Sequence, residues 1–423
     1  QQERLREMIG SFGTLRDREM KIVVGDILCL AKLLYEAGQE EIIYDLRDQL
    51  TALERQHRQD SKYLSKLEYL NKCLTNFKPA IFRNLQLHFS ELYHVDPALV
   101  TCLPKVTGQQ VGAEVEIALA AEDTKPINFH VKPHQEFCSK SHSQLVVTTS
   151  DGTGAVNFKE LFVYKLLQYL GYGPKTHFIV DRDIAHSRTD EGILIATQDL
   201  GYTKRPEQVA KSFRIFRDVR DDLSQQEAKS INEATRRDII VIDMLSRALL
   251  LEDVIINQGN FGMVTVNYTK DDGSPAKIKW KILDFMPPNL LVDKGDDYSY
   301  NKHYASGITI FHAFKVGNAS HTYARDELMV IHRILTEENA RDLWLPALQQ
   351  LTTARGNHMP LAAAMERAFQ DIDFFMKKNQ ELLQIKPERL ARRMEDLARY
   401  RDSTTRNFEE LDQGIRDYLR GAS

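Results

Sequence analysis

The chain has little of what marks several large protein classes. It holds four cysteines in 423 residues, Cys29, Cys73, Cys102 and Cys138, and none forms a CxxC pair. Neither a zinc site nor a disulfide framework is indicated, so reduced thiols are the expectation. No apolar run approaches the roughly 18 residues of a membrane span. The longest candidate, RDIIVIDMLSRALLLEDVII, is broken by Asp243, Ser246 and Arg247. The first residues, QQERLREMIG, contain no hydrophobic signal core. An excess of one charge is also missing: 56 Lys and Arg stand against 60 Asp and Glu, a formal net charge of −4. That balance argues against bulk nucleic-acid binding, which needs a basic surface. Internal repeats are not visible either. A cytoplasmic location, with no transmembrane segment and no nucleic-acid partner, is the expectation.

What is present is length and order. The chain can hold two or three domains, or one large domain with appended helices. Residues 1–98 read as helices: Val23, Ile27, Leu30 and Leu34 follow helical spacing, as do Tyr63, Leu67, Leu70 and Leu74. Gly38 is a candidate helix stop. The stretch DQLTALERQHRQDSKYL reads as a solvated helix surface. Near residue 100 the pattern changes to strands, AEVEIALA and INFHVK, followed by the small-residue loop TTSDGTGAVN and an apolar helix, FKELFVYKLLQYLG. Leu161, Tyr164 and Leu167 of that helix can face a core, and Gly171 with Gly173-Pro174 closes it. THFIVD and GILIATQDLG read as two further strands close enough to pair. A polar helical region is expected from about 205 to 237, then a long apolar helix over 238–252. MVTVNY and KIKWKILDF flank TKDDGSPA as a hairpin, with Ile278, Trp280 and Ile282 alternating in its second strand. From about 303 onward the chain reads as helical, including RDELMVIHRIL, PLAAAMERAFQDIDFFMKKNQELL and PERLARRMEDLARYRD. Arg389, Arg392 and Arg393 make a small basic cluster balanced by Glu388, Glu395 and Asp396, as an exposed helix face would.

Several residues in this order can carry chemistry. Lys132, in FHVKPH, is a strand lysine, and His130 and His134 share its face if the strand runs through Pro133. Glu160 opens the apolar helix. Two glycine-bearing stretches, VTGQQVGAE and SDGTGAVN, would let backbone amides approach an anion; the second, with Gly152 and Gly154, is preferred. Asn260 ends the loop INQGN, and Asp284 follows the hairpin in KILDFMPP. A carboxylate at the end of a buried strand suits a Mg²⁺ ligand. Each residue also has a plainer reading: a strand-end lysine, a glutamate favoured at a helix N-terminus, a flexible loop, a turn aspartate.

Taken together, the strand lysine, the helix glutamate, the two return strands, the Asn loop, the hairpin and the Asp-Phe pair resemble the protein kinase-like superfamily. The likeness spans about residues 100 to 340, and its nearest flavour is the atypical branches, the HipA-type kinases and the phosphatidylinositol 3- and 4-kinases. It implies an α+β fold with a bilobal core, an antiparallel-sheet N-lobe over 99–202 and a helical C-lobe over 203–345. Helical regions at 1–98 and 346–423 flank that core. The cofactors implied are ATP and Mg²⁺. Lys132 would meet the phosphates, Glu160 would orient it, Gly152 and Gly154 would cover the phosphates, and ATQDLG with Gln198 and Asp199 would be the hinge that meets adenine. Asn260 and Asp284 would hold the metal.

One position departs from the family pattern. The base stands five residues before the asparagine in the family, and here that residue is Ile255, which accepts no proton. Asp253, beside Glu252, is the candidate replacement. General-base help is worth about 10²–10⁴-fold, whereas metals and positioning supply most of phosphoryl-transfer catalysis. The expected activity is therefore an atypical kinase acting on a protein or phosphoinositide hydroxyl. Protein is favoured, because Lys294, Lys302 and Lys315 are interleaved with Asp293, Asp296 and Asp297. The alternatives are a pseudokinase or adaptor binding a protein partner through its helical regions, and a kinase-fold nucleotidyl transferase moving AMP. An order this divergent would suit a bacterial protein acting in a host cytosol.

Overall fold

The computed structural model describes residues 2–37, 42–75, 79–104, 112–119, 126–134, 138–141, 144–147, 156–180, 192–201, 211–224, 231–251, 254, 259–266, 277–285, 287–288, 334, 337–354 and 358–421. They form an α+β fold of antiparallel strands with helices at both ends of the chain. The chain divides into two compact units. The first is made of residues 1–133, 177–187 and 192–198, and the second of 134–176, 188–191 and 199–423.

In the first unit five helices come in sequence: α1 (Gln2–Phe12), α2 (Asp17–Glu36), α3 (Ile42–Gln56), α4 (Ser61–Thr75) and α5 (Pro79–Tyr93). Their helical spacing buries Leu5, Ile9, Ile27, Leu34, Leu46, Leu50, Leu67 and Leu70, as the sequence pattern requires. Asp60 starts α4 by accepting the amides of Lys62 and Tyr63. Gly38 lies outside the described residues. A short 3₁₀ turn at Pro97–Leu99 leads to β1 (Val100–Pro104), β2 (Ala113–Ile117) and β3 (Ile127–Pro133).

In the second unit β4 (Cys138–Ser141) and β5 (Gln144–Val147) pair as an antiparallel ribbon. They are followed by α6 (Phe158–Leu170). Next come β6 (Thr176–Val180) and β7 (Ile193–Gln198). These two strands complete the sheet of the first unit in the order β1-β2-β3-β7-β6, so the two return strands are adjacent as expected. Helices and sheet of that unit share one core, where Phe89 packs on Phe129 at 4.7 Å between ring centres. Asn84 of α5 ties the edge by donating to the Val180 carbonyl at 2.7 Å.

The second unit continues with β8 (Lys211–Ile215), α7 (Phe216–Ser224) and α8 (Glu233–Ala248). It closes with β9 (Phe261–Val266), β10 (Lys277–Ile282), α9 (Glu337–Thr352), α10 (Leu361–Lys378) and α11 (Pro387–Gly421). The expected hairpin is present: β9 and β10 pair antiparallel, with Ile282 opposite Phe261. Its turn, 267–276, lies outside the described residues, as does RDELMVIHRIL apart from Ile334. The strand β8 corrects the sequence reading, which expected helix there. Lys211–Ile215 pairs along β9 and buries Phe213, and that pairing, set by residues far along the chain, overrides the polar local composition. Phe216, Phe261 and Trp280 then form the aromatic floor, with Phe216 stacked on Phe261 at 4.9 Å.

The apolar helix also ends earlier than expected. It spans Glu233–Ala248 rather than 238–252, because Leu250 turns left-handed (φ 55) and Leu251 donates back to the Ser246 carbonyl at 2.7 Å. The three polar residues that break its apolar run are buried. Arg247 Nε donates to both carboxylate oxygens of Asp243, at 3.0 and 2.9 Å, and the Ser246 hydroxyl donates to Leu251 O. A further correction concerns the basic cluster of α11. Arg393 is buried, with its guanidinium 5.7 Å from the centre of the Phe158 ring, while Arg392 is exposed. No helix among the described residues is long and apolar enough to cross a membrane.

Two measurements test this packing. Gly262 on β9 leaves no room for a side chain: an added Cβ would sit 2.3 Å from the Arg214 carbonyl oxygen and 2.7 Å from the Ile215 Cα. Both obstacles are backbone, so Gly262→Ala should cost about 3 kcal/mol by overpacking, read as a lower denaturant midpoint. The second is a pH dependence. Asp238 of α8 accepts from the Tyr172 hydroxyl at 3.1 Å and from Gln350 Nε2 at 2.5 Å, and burial pushes its carboxyl above the ordinary range. The folded state therefore holds this proton more tightly than the unfolded chain. The resulting stability is complete below the ordinary Asp value and is lost as pH rises through the raised one. Asp238→Asn keeps an acceptor oxygen and should flatten that part of the stability–pH curve, measured by thermal melts from pH 4 to 8.

Candidate functional site

The densest arrangement of the sequence-singled residues lies in the second unit, around the base of the β9–β10 hairpin. The Asn260 carbonyl immediately precedes β9 and accepts two amides from the segment leaving β10, Leu283 at 2.7 Å and Asp284 at 3.2 Å. The hairpin thus returns Asp284 to the residue it started from. Asn260 is buried, whereas the Asp284 side chain is exposed, its Oδ1 accepting from the Phe285 amide at 3.1 Å. Phe285 points inward instead: it is 1% exposed and packs on the Tyr164 ring of α6 at 4.4 Å. Alternation at a strand end puts the carboxylate and the aromatic ring on opposite sides of the chain.

Helix α6 forms the other wall. It is buried on nearly every side, its charged Lys159 and Glu160 included. Glu160 in its first turn is fully buried. Glu160 and Tyr164 are four residues apart and so lie on one helix face. Hence the face that carries Glu160 is the face on which Phe285 packs. Asn157 caps the helix: its Oδ1 accepts the Lys159 amide at 3.1 Å, and its Nδ2 donates to the Pro288 carbonyl at 3.2 Å. One fully buried side chain therefore joins the start of α6 to the segment after Asp284. The other end of α6 is fixed by Gly171 (φ 79), against which His358 packs, and by Lys281 Nζ, which donates to the Gly171 and Gly173 carbonyls.

The remaining expectations fall elsewhere. Lys132 belongs to the first unit, half-buried on β3 opposite Ile195. β3 ends at Pro133, so His134 lies beyond the strand that holds Lys132 and the exposed His130. Gln198 ends β7 opposite Phe129. Asp199 begins the second unit, where its Oδ1 accepts the Gly201 amide at 2.9 Å in a tight turn. Asp253, Ile255, Gly152 and Gly154 lie outside the described residues.

Asn260 and Asp284 offer an amide oxygen and a carboxylate, hard donors of the kind Mg²⁺ takes. Mg²⁺ is typically bound through one or two carboxylates together with substrate phosphates and water. Their residue types are of that kind, but Asn260 is buried and the Asp284 side chain exposed, and the bond that joins them is backbone to backbone. Among the described residues no group of three or more His, Cys, Asp or Glu could hold a metal. Sequence reasoning passed over Asn157. Its signal was present in the N-x-x-E spacing of Asn157 to Glu160 at a helix start. The Pro288 contact had no such signal.

Comparison of the chain with protein-family models, with curated proteins and with solved structures finds no match in any of the three.

Asn157→Ala removes the cap and leaves the Pro288 carbonyl without this donor. It should cost about 2 kcal/mol, seen as a drop in melting temperature. Asn157→Asp, which caps but cannot donate to that carbonyl, should fall between the two.

Proposed function

We propose that the chain is an atypical ATP- and Mg²⁺-dependent phosphotransferase with a bilobal kinase-like core, acting on a hydroxyl of a protein or a phosphoinositide. The observation that carries this is the carbonyl of Asn260 accepting the amide of Asp284. Two residues that the family order pairs at the metal are adjacent here, and the ring next to Asp284 packs on the helix that carries Glu160. In this reading Asn260 and Asp284 hold Mg²⁺, which when bound would offset charge on the nucleotide phosphates. Lys132 supplies a fixed cation for those phosphates and Glu160 orients it. Gly152 and Gly154 cover them, and the backbone at Gln198 and Asp199 meets adenine. Asp253 takes the proton from the acceptor hydroxyl. Because positioning and charge stabilisation supply most of phosphoryl transfer, Ile255 in the family's base position would slow the reaction without abolishing it.

The test is label transfer from γ- and α-labelled ATP with Mg²⁺, offered proteins of a cell lysate and phosphoinositide vesicles in parallel. The expected outcome is γ-label on an acceptor, reduced at least about 100-fold in Asp284→Ala. A loss of about 10²–10⁴-fold in Asp253→Ala would identify the base. Appearance of α-label would replace the kinase by a nucleotidyl transferase. ATP bound with neither label transferred would leave a pseudokinase or adaptor.

A further inference from the structure

We infer that the C-terminal helix α11 is a positioning element of this site, locking α6 and the last turn of α8 in one register through Asp396, Tyr400 and Asn407. The inference deepens the phosphotransferase reading and rests on it.

The three residues follow one stripe of α11, spaced four and seven apart. Asp396 accepts from Lys159 Nζ at 2.9 Å, and both side chains are buried. Lys159 is the residue before Glu160. Arg393, one turn earlier on α11, lies over the Phe158 ring, and Tyr400, one turn later, meets the Phe162 ring edge-on at 6.0 Å. The first turn and a half of α6 therefore rests on α11 through Phe158, Lys159 and Phe162. The Tyr400 hydroxyl also reaches the second element, donating to the Leu249 carbonyl at 2.5 Å, and Asn407 Nδ2 donates to the Ala248 carbonyl at 3.0 Å. Helix ends leave carbonyls that intrahelical bonds do not satisfy. Here α11 takes two of them at the end of α8, from which the chain runs through buried Leu251 and Val254 toward Asn260.

Apolar side chains would have held these helices together as firmly. A buried ion pair often adds nothing to stability beyond what well-packed hydrophobic residues give, because both charges lose water. Burial in fact depresses the Lys159 ammonium below its ordinary range against the pull of Asp396. What the pair does impose is register. Sliding or rotating α6 along α11 would pull a buried ion pair apart, and shifting α8 would strand two carbonyls. An apolar seam tolerates either motion far better. The polar stripe of α11, with Ser403 and Thr404 buried inside it, is thus placed where two site-bearing elements need a fixed relation rather than only a dry contact.

The experiment uses the full chain in three forms: wild type, Lys159→Met/Asp396→Leu, and Tyr400→Phe/Asn407→Leu. The substitutions keep volume and remove only the polar links. Two readouts are taken at matched folded fraction: steady-state γ-phosphate transfer with Mg·ATP, and amide hydrogen exchange of α6 and of residues 246–251. The expected result is a melting temperature within a few degrees of wild type for the ion-pair variant and a lower one for the variant that leaves two carbonyls without their donors. In both, kcat at matched folded fraction falls about 10–100-fold and KM for ATP changes far less. Exchange should rise in the first turn of α6 for one variant and at 246–251 for the other. Wild-type kcat and exchange in both variants would overturn the inference, as would losses that only track the unfolded fraction. A wild type that transfers no phosphate would instead sink the phosphotransferase reading. The exchange readout would then still decide whether α11 sets the register of these two elements.

Discussion

A single carbonyl oxygen, that of Asn260, accepts the amides of both Leu283 and Asp284, and the candidate site depends on that convergence. A hairpin whose strands pair from Phe261–Ile282 outward needs something to close its open end. The Asn260 carbonyl does so with two bonds, bringing the backbone of Asp284 to that of Asn260. Everything around it serves to hold this closure. Gly262 lets β8 approach to backbone distance, Trp280 and Phe261 fill the floor, and Phe285 anchors the departing segment on Tyr164. The exposed Asp284 is left directed away from the core.

Much of this was legible from residue order. The strand–helix–strand sequence and the hairpin follow from period and turn chemistry, which are local, whereas the pairing of Asn260 with Asp284 comes only from the resemblance. What escaped is non-local. Strand β8, KSFRI, buries Phe213 only because β9 lies beside it, and nothing in five residues announces that partner. The end of α8 escaped for another reason. Apolar residues continue past Ala248, so the pattern runs on, but the backbone leaves the helix at a buried leucine with positive φ rather than at a glycine. Leu250 keeps that strained conformation because its burial outweighs the roughly 1–2 kcal/mol of the left-handed region. Arg393 escaped because a charged residue beside acidic neighbours reads as surface, and only the fold supplies the Phe158 ring beneath it.

The buried polar groups of the second unit share a logic. Asn157, Lys159, Asp243, Arg247, Asp396 and Asn407 are nearly or wholly excluded from water. Lys159 with Asp396 and Arg247 with Asp243 satisfy each other as ion pairs, while Asn157 and Asn407 meet a helix end, where the backbone offers groups that need partners. Cost and use coincide there: a polar side chain that must be satisfied meets a carbonyl or amide that must be satisfied. The outcome is that the start of α6 and the end of α8 are fixed with direction, by side chains from the middle of α11.

The first unit is not continuous in sequence: its sheet takes β7 between β3 and β6, so the central pairing waits for residues 193–198. During synthesis the five helices and β1 to β3 leave the ribosome with the flank of β3 bare, and α6 emerges before that flank is covered. An exposed strand edge is a template for joining other chains, and late, distant pairings fold slowly. The nascent chain is therefore most exposed to misassociation between the emergence of β3 and that of β7. A fragment cut after residue 133 would carry the same bare edge permanently.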